Sequence, residues 1–365
     1  MTLDPAAPRE SASRRGLVGQ GLLIAALLGT ALVGISPAPY VVERPGPVYD
    51  TLGDTEVDGE TVPVIQVDGA PSYPSEGRLD LLTVYLDGSR EHPLDWFEVV
   101  TAWLDPSRAL LPVDAVFPGG QTEEQSDEES ARDMDASQRA AVAAALTELG
   151  VAFTSTVTVD EVPPDGPADG VLEVGDELLS VDGTPVASDG ELRAAIADAG
   201  VGATVELGIR RDGVESTVSL TTVARSESDA SPVIGVVPGV SYAFPFEVTI
   251  NLQNVGGPSA GMMFALGIYD TLTPGSLTGG QHVAGTGTID GTGAVGPIGG
   301  IRQKMIGARS AGAEWFLAPQ ANCGEVVGHI PAGLEVFAVS ELAQAVDVVT
   351  AIGEGSSTDS FARCG

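Results

Sequence analysis

The sequence contains 17 basic residues against 51 acidic ones, and only one of the 17, Lys304, is lysine. The formal charge of −34 excludes nucleic acid or an anionic bilayer face as the main partner and favours a solvated surface outside the cytoplasm. Of the three histidines, His282 and His329 have no companions at metal-ligand spacing, so no metal or other cofactor is expected. Two cysteines are too few for a disulfide framework, and neither has a neighbouring base that would make it a nucleophile. No G-x-x-x-x-G-K-[ST] occurs, which excludes that type of phosphate loop. What is abundant is turn chemistry: 47 Gly and 25 Pro among 43% hydrophobic residues suit two or three compact domains in 365 residues.

The single long apolar run stands near the N-terminus. Residues 1–15 are polar and carry Arg9, Arg14 and Arg15. Gly16 to Ile35 are then apolar or small except for Gln20 and Thr30. Twenty residues at helical rise span roughly 30 Å, a bilayer's hydrocarbon thickness, so 16–36 is expected to be a transmembrane helix. The preceding arginines place the N-terminus inside and the rest outside the cytoplasmic membrane. A cleavable signal peptide is the alternative, less suited by the length of the run and the prolines after it.

Residues 37–135 form an extracytoplasmic N-terminal region. Its proline-rich start is extended. Alternating runs at 62–67 and 79–86 read as strands, and Asp95 to Leu104 as a short helix whose Trp96 and Trp103 are expected to pack in a core, with the membrane interface as the alternative. Gly119 to Asp135 reads as an acidic solvated loop before an Ala-rich helix from Ala136 to Leu149. Strands around 157–162, 204–210 and 214–223, a helix at 189–199 and Asp-Gly turns describe a small, partly open β-barrel with helices over 136–225. A Ser/Asp-rich linker, 226–232, separates it from a last α+β domain, 233–352, and a polar tail, 353–365.

That last domain holds the chemistry. Gly256-Gly257-Pro258-Ser259-Ala260-Gly261 lies between an alternating apolar run, 248–252, and a periodic one from Met262, so Ser259 sits where a strand turns into a helix. Pro258 suits a first helical position, and the glycines leave N–H groups near Gly257 and Ser259 free to hold an oxyanion. Arginine could serve wherever only charge is needed, whereas lysine can give up its proton when desolvated. To act as a base near neutral pH, Lys304 must titrate roughly 3 pH units below about 10.4, at a cost on the order of 4 kcal/mol. Apolar Ile301, Met305 and Ile306 on the same helix could impose that.

The serine motif, together with the run from Gly287 to Lys304, resembles the proteolytic domain of Lon-type serine peptidases. The region 149–223, with its Gly175-Asp176 and Asp182-Gly183 pairs, resembles a bacterial PDZ domain. The whole arrangement is similar to membrane-anchored, PDZ-containing Lon-like proteases. The resemblance implies a dyad of Ser259 as nucleophile and Lys304 as base, with Thr286 positioning the amine. It also implies protein or peptide substrates whose C-termini dock on the PDZ domain as an added strand, for which Leu149-Gly150-Val151 is the candidate carboxylate loop, and a ring-shaped homo-oligomer. Family members driven by ATP carry a nucleotide module that has no counterpart here, so ATP-independent cleavage is expected. An outer compartment permits a Cys323–Cys364 disulfide, with two free thiols as the alternative. Two rival functions remain at this stage: an inert PDZ adaptor, and an esterase in which Gly257 to Gly261 is a nucleophile elbow served by Asp290 and His329.

Overall fold

The computed structural model describes all residues except 1–19, 21, 28, 30–32, 58, 227–228 and 254. The expected transmembrane segment therefore lies largely outside the described residues. Among those described, Gln20, Leu22 to Leu27, Gly29, Val33 and Gly34 are helical, and no described helix is long and apolar enough to cross a membrane.

The chain forms two compact units, 1–45 with 84–126, and 46–83 with 127–365. Strands β1 (Tyr40–Asp50), β2 (Ile65–Asp68) and β3 (Arg78–Asp87) come first, and β1 and β3 each contribute residues to both units. The first unit adds α1 (Trp96–Trp103) and β4 (Ala109–Pro112), which pairs antiparallel with Tyr40–Glu43 of β1. Asp95 starts α1 through a capping box. It accepts from the Glu98 N–H at 2.8 Å, and Glu98 accepts from the Asp95 N–H at 2.9 Å. The expected core packing of both tryptophans does not hold: Trp96 meets Tyr40 edge-on at 5.9 Å, but Trp103 is 73% exposed.

The stretch read as an acidic loop is helical. Helix α2 (Glu123–Glu148) takes in all of it from Glu123 on, because Thr122 and Gln125 form a second capping box that supplies the start signal. From residue 127 on, α2 belongs to the larger unit.

The larger unit has two separate cores. The small one belongs to β5 (Thr154–Glu161), β6 (Glu177–Val181), α3 (Asp189–Ala199), β7 (Thr204–Arg211), β8 (Val214–Thr221) and β9 (Val237–Ala243). These strands run in the order β8-β7-β6-β5-β9, an open sheet with antiparallel neighbours, and Val157, Leu178, Ile196 and Leu207 bury its face. Strand β10 (Glu247–Ile250) follows and pairs antiparallel with β2.

The other core is built by α4 (Gly261–Leu272), β11 (His282–Gly285), α5 (Ile301–Ala311), β12 (Trp315–Pro319), β13 (Glu335–Val339) and α6 (Leu342–Gly353). Within this unit its sheet runs β13-β12-β11-β3-β1, parallel from β13 to β3. Leu79 and Leu81 from β3, Ile65 from β2 and Ala141, Val142, Ala144, Ala145 and Leu146 from α2 enter the same apolar cluster as Met262 to Leu266 and Phe337. The expected boundary at 233 is thereby corrected. The small sheet is an insertion between α2 and β10, because α2 presents its alanine face to the larger core. The polar tail pairs alongside β13: Ala338 donates to Ala362 and Cys364 to Val336, and the expected Cys323–Cys364 disulfide is present.

Candidate active site

Ser259 lies in a single 3-10 turn, Pro258–Ala260, that opens directly into α4. Gly257 enters this turn at φ +80°, a conformation disfavoured for other residues, and its N–H donates to the Ser130 carbonyl of α2 at 2.8 Å. The Ser137 hydroxyl donates to the Pro258 carbonyl at 3.0 Å. Helix α2 thus clamps the serine loop from outside, through two residues that sequence reasoning missed because they lie more than a hundred positions upstream. The expected oxyanion donor near Gly257 is corrected by the same contact, since that N–H is already engaged. The Ser259 N–H, at the start of a helical turn, has no intrahelical acceptor and stays available.

The side chains of Ser259, Thr286 and Lys304 lie together. The Lys304 Nζ is 2.8 Å from the Ser259 Oγ and 3.2 Å from the Thr286 Oγ1. The Thr286 hydroxyl donates to the Ser259 carbonyl at 2.9 Å, so its lone pairs face the amine. The Gly287 N–H also donates to the Ser259 carbonyl at 2.9 Å, fixing the serine backbone against the strand end that carries Thr286. Lys304 is 2% exposed and Thr286 fully buried, while Ser259 is half-buried and open to an incoming carbonyl. Helix α5 presents the lysine from its first turn, after Gly300 in the left-handed region, with Ile301 and Met305 packed in the apolar cluster beneath. Both contacts run from the amine to a hydroxyl oxygen, which puts the nitrogen within reach of the Ser259 hydroxyl proton.

The esterase alternative has no comparable geometry. Asp290 accepts from Thr292 and Ala294 inside its own turn, and the exposed His329 sets its Nδ1 against the Val327 carbonyl.

The small domain does not use Leu149-Gly150-Val151 as expected. These residues end α2: Gly150 donates to Thr147 and Val151 to Leu146, both about 3 Å, with Gly150 at φ +67°. That is a Schellman stop, so the N–H groups needed for a carboxylate are spent, and Val151 packs on the larger core. The open edge is elsewhere. Strand β9 is last in its sheet and pairs on one side only, with β5, while α3 packs beside it. The chain enters β9 through Ile234-Gly235-Val236, with Gly235 at φ +76° and Ile234 anchored in the small core. An apolar-Gly-apolar run before a strand was the available signal. At the end of β9, Tyr242 stacks on Phe244 at 5.4 Å, and both help line a groove of about 620 Å³ with Arg139 of α2 and Val248 of β10. Burial pushes the Tyr242 phenol up to about 12.

Within the small domain Asp176 is 1% exposed and accepts two hydrogen bonds from Arg211, at 2.7 and 2.6 Å. The guanidinium holds its carboxyl below the usual range. Among the described residues no group of three or more acidic, His or Cys side chains could hold a metal ion.

Residues 253–351 match the Lon protease (S16) C-terminal proteolytic domain, and residues 129–222 match the PDZ domain family. Lon protease 1 of Herpetosiphon aurantiacus is 30% identical over 139 residues, 37% of this chain and 16% of that protein. Lon protease of Buchnera aphidicola is 27% identical over 176 residues, 47% and 20% of the two chains. Lon protease 2 of Bacillus subtilis is 31% identical over 107 residues, 28% and 19%. The chain therefore spans at most 20% of the length of these relatives. With the serine, the buried lysine and the open-edged sheet in place, the chain combines a region that matches the PDZ domain family with one that matches the Lon-type (S16) proteolytic domain.

Proposed function

We propose that the chain is a membrane-anchored serine endopeptidase that works without ATP on proteins outside the cytoplasmic membrane. The observation that carries this reading is the 2.8 Å contact between the buried Lys304 amine and the Ser259 hydroxyl. Ser259 attacks the scissile carbonyl while Lys304 takes its proton, and the same lysine then delivers that proton to the leaving amine. The Ser259 N–H faces the oxygen on which negative charge develops. Water, deprotonated by the lysine, releases the acyl group. The apolar run 16–35 after three arginines supports the anchor and its orientation. Substrate peptides add a strand to the free edge of β9, and a homo-oligomeric ring follows from the resemblance to Lon domains.

The test is cleavage of a loosely folded protein by the full chain in detergent, beside Ser259→Ala and Lys304→Arg. Both variants should lose activity by at least about 10³-fold. Retained cleavage by Lys304→Arg would sink the dyad, because arginine keeps its proton.

A further inference from the structure

Helix α1 leaves one apolar face bare. Phe97 is 70% exposed, Val100 49%, Trp103 73% and Leu104 71%, and their spacing of three and four puts them on one side. The opposite side is fixed, since Val99 and Ala102 are buried and the Asp95–Glu98 capping box locks the first turn. Rotation of the helix therefore cannot hide this face.

Its place in the fold says what covers it. The Ala38 N–H donates to the Leu94 carbonyl at 2.8 Å, and Pro37 pairs with Asp95. The N-terminus of α1 is thus stitched to the chain two residues after Ile35, where the long apolar run ends. Eight residues rise only about 12 Å, so Trp103 lies close to that exit. Leu22, Leu23, Ile24 and Leu27 of the run are themselves more than half exposed. Helix α1 carries Glu98 and no basic residue, so its contact is apolar rather than a meeting with anionic headgroups.

We propose that α1 is a membrane-surface helix whose Phe97, Val100, Trp103 and Leu104 sink into the boundary between headgroups and acyl chains beside the anchor. Tryptophan and phenylalanine favour that depth. The contact adds to the anchor and fixes one face of the first unit against the bilayer. This inference rests on the anchored reading above, and the two can fail separately.

The full chain is reconstituted into phosphatidylcholine vesicles whose acyl chains are brominated near the headgroup end. Flotation reports incorporation, and tryptophan quenching reports contact with lipid. Trp103→Ser removes an exposed side chain and leaves the buried face of α1 intact. The expected result is quenching in the natural chain, most of it lost in Trp103→Ser while flotation is unchanged. Flotation with no quenching attributable to Trp103 would overturn the surface helix and leave the anchor standing. Cross-linking of two copies through position 103, with the residue unquenched, would give the face to a second copy and also overturn it. Failure to float would remove the anchor and this inference with it.

Discussion

The two domains of the larger unit treat their basic side chains in opposite ways. In the PDZ domain, Arg211 bonds Asp176, Glu173 and the Val171 carbonyl, and Arg210 bonds Glu177 and Glu215. Carboxylates on both sides raise each arginine further above an already high value, so these charges never change in use. They hold turns and strands in register. In the peptidase domain, Lys304 donates to two hydroxyl oxygens, partners that tolerate either protonation state. A guanidinium bound to carboxylates is a structural fixture, whereas an amine held by hydroxyls can exchange a proton with one of them.

If the two cores are as separate as their packing indicates, each can be loosened without the other. The largest effect is expected at the disulfide. The Cys323–Cys364 bond closes a loop with a sequence separation of 41, worth about 4 kcal/mol in the chain-entropy model. It holds the tail against β13, where Arg363 also pairs with Glu335 and lies over the Phe337 ring. Reduction, or Cys323→Ser with Cys364→Ser, should lower hydrogen-exchange protection in β12 and β13 while β5 to β8 keep theirs. Equal loss in both regions would show a single cooperative unit and erase the distinction.

The converse perturbation is Asp176→Ala. Arg211 is a third exposed, so solvent screens part of what is lost, and the expected cost is about 2–3 kcal/mol, confined to the PDZ domain. The sign with pH follows from the lowered carboxyl. The folded state binds the Asp176 proton less readily than the unfolded one, so the contribution is complete above the unfolded carboxylate range near pH 4. It is lost as pH falls through the lower folded value. Denaturation of the natural chain should therefore show the PDZ transition weakening below about pH 4, and Asp176→Ala should flatten that slope. An unchanged slope would mean that other carboxylates dominate.

Legibility in the sequence divides along the same line. Ser259 and Lys304 could be read because each stands in a local pattern with a chemical reason, a glycine-flanked turn and the only lysine, whereas Thr286 came from the family resemblance alone. The strands at 204–211 and 214–221 and the helix at 189–199 were legible from Asp-Gly turns and periodicity. What failed was long-range. Nothing near residue 130 or 137 announces that α2 holds the serine loop, and a contiguous reading of domains cannot show one domain inserted in another. The carboxylate loop was misplaced because Leu-Gly-Val fits both a helix stop and a peptide cradle, and only the Val151 to Leu146 hydrogen bond decides between them. The stretch Gly119 to Asp135 was misread from Glu123 on because charge outweighed the Thr122-x-x-Gln125 cap, a cue that was present.

The finest test concerns why a hydroxyl, rather than a carboxylate, stands beside the lysine. Thr286 donates to the Ser259 carbonyl and accepts from Lys304, so it couples the amine to the backbone of the nucleophile. Thr286→Val keeps the volume and removes both bonds, leaving one buried N–H of the amine without its partner. That costs about 1–3 kcal/mol, or a fall of about 10- to 100-fold in kcat with little change in KM. Thr286→Ser restores the hydroxyl and should recover most of the rate. The pH profile separates positioning from packing: with valine the rising limb that reports the lysine should move, whereas a purely structural loss would lower the whole profile without shifting it. If serine fails to rescue and the limb stays in place, Thr286 serves the fold alone, and the hydroxyl that holds the amine is that of Ser259.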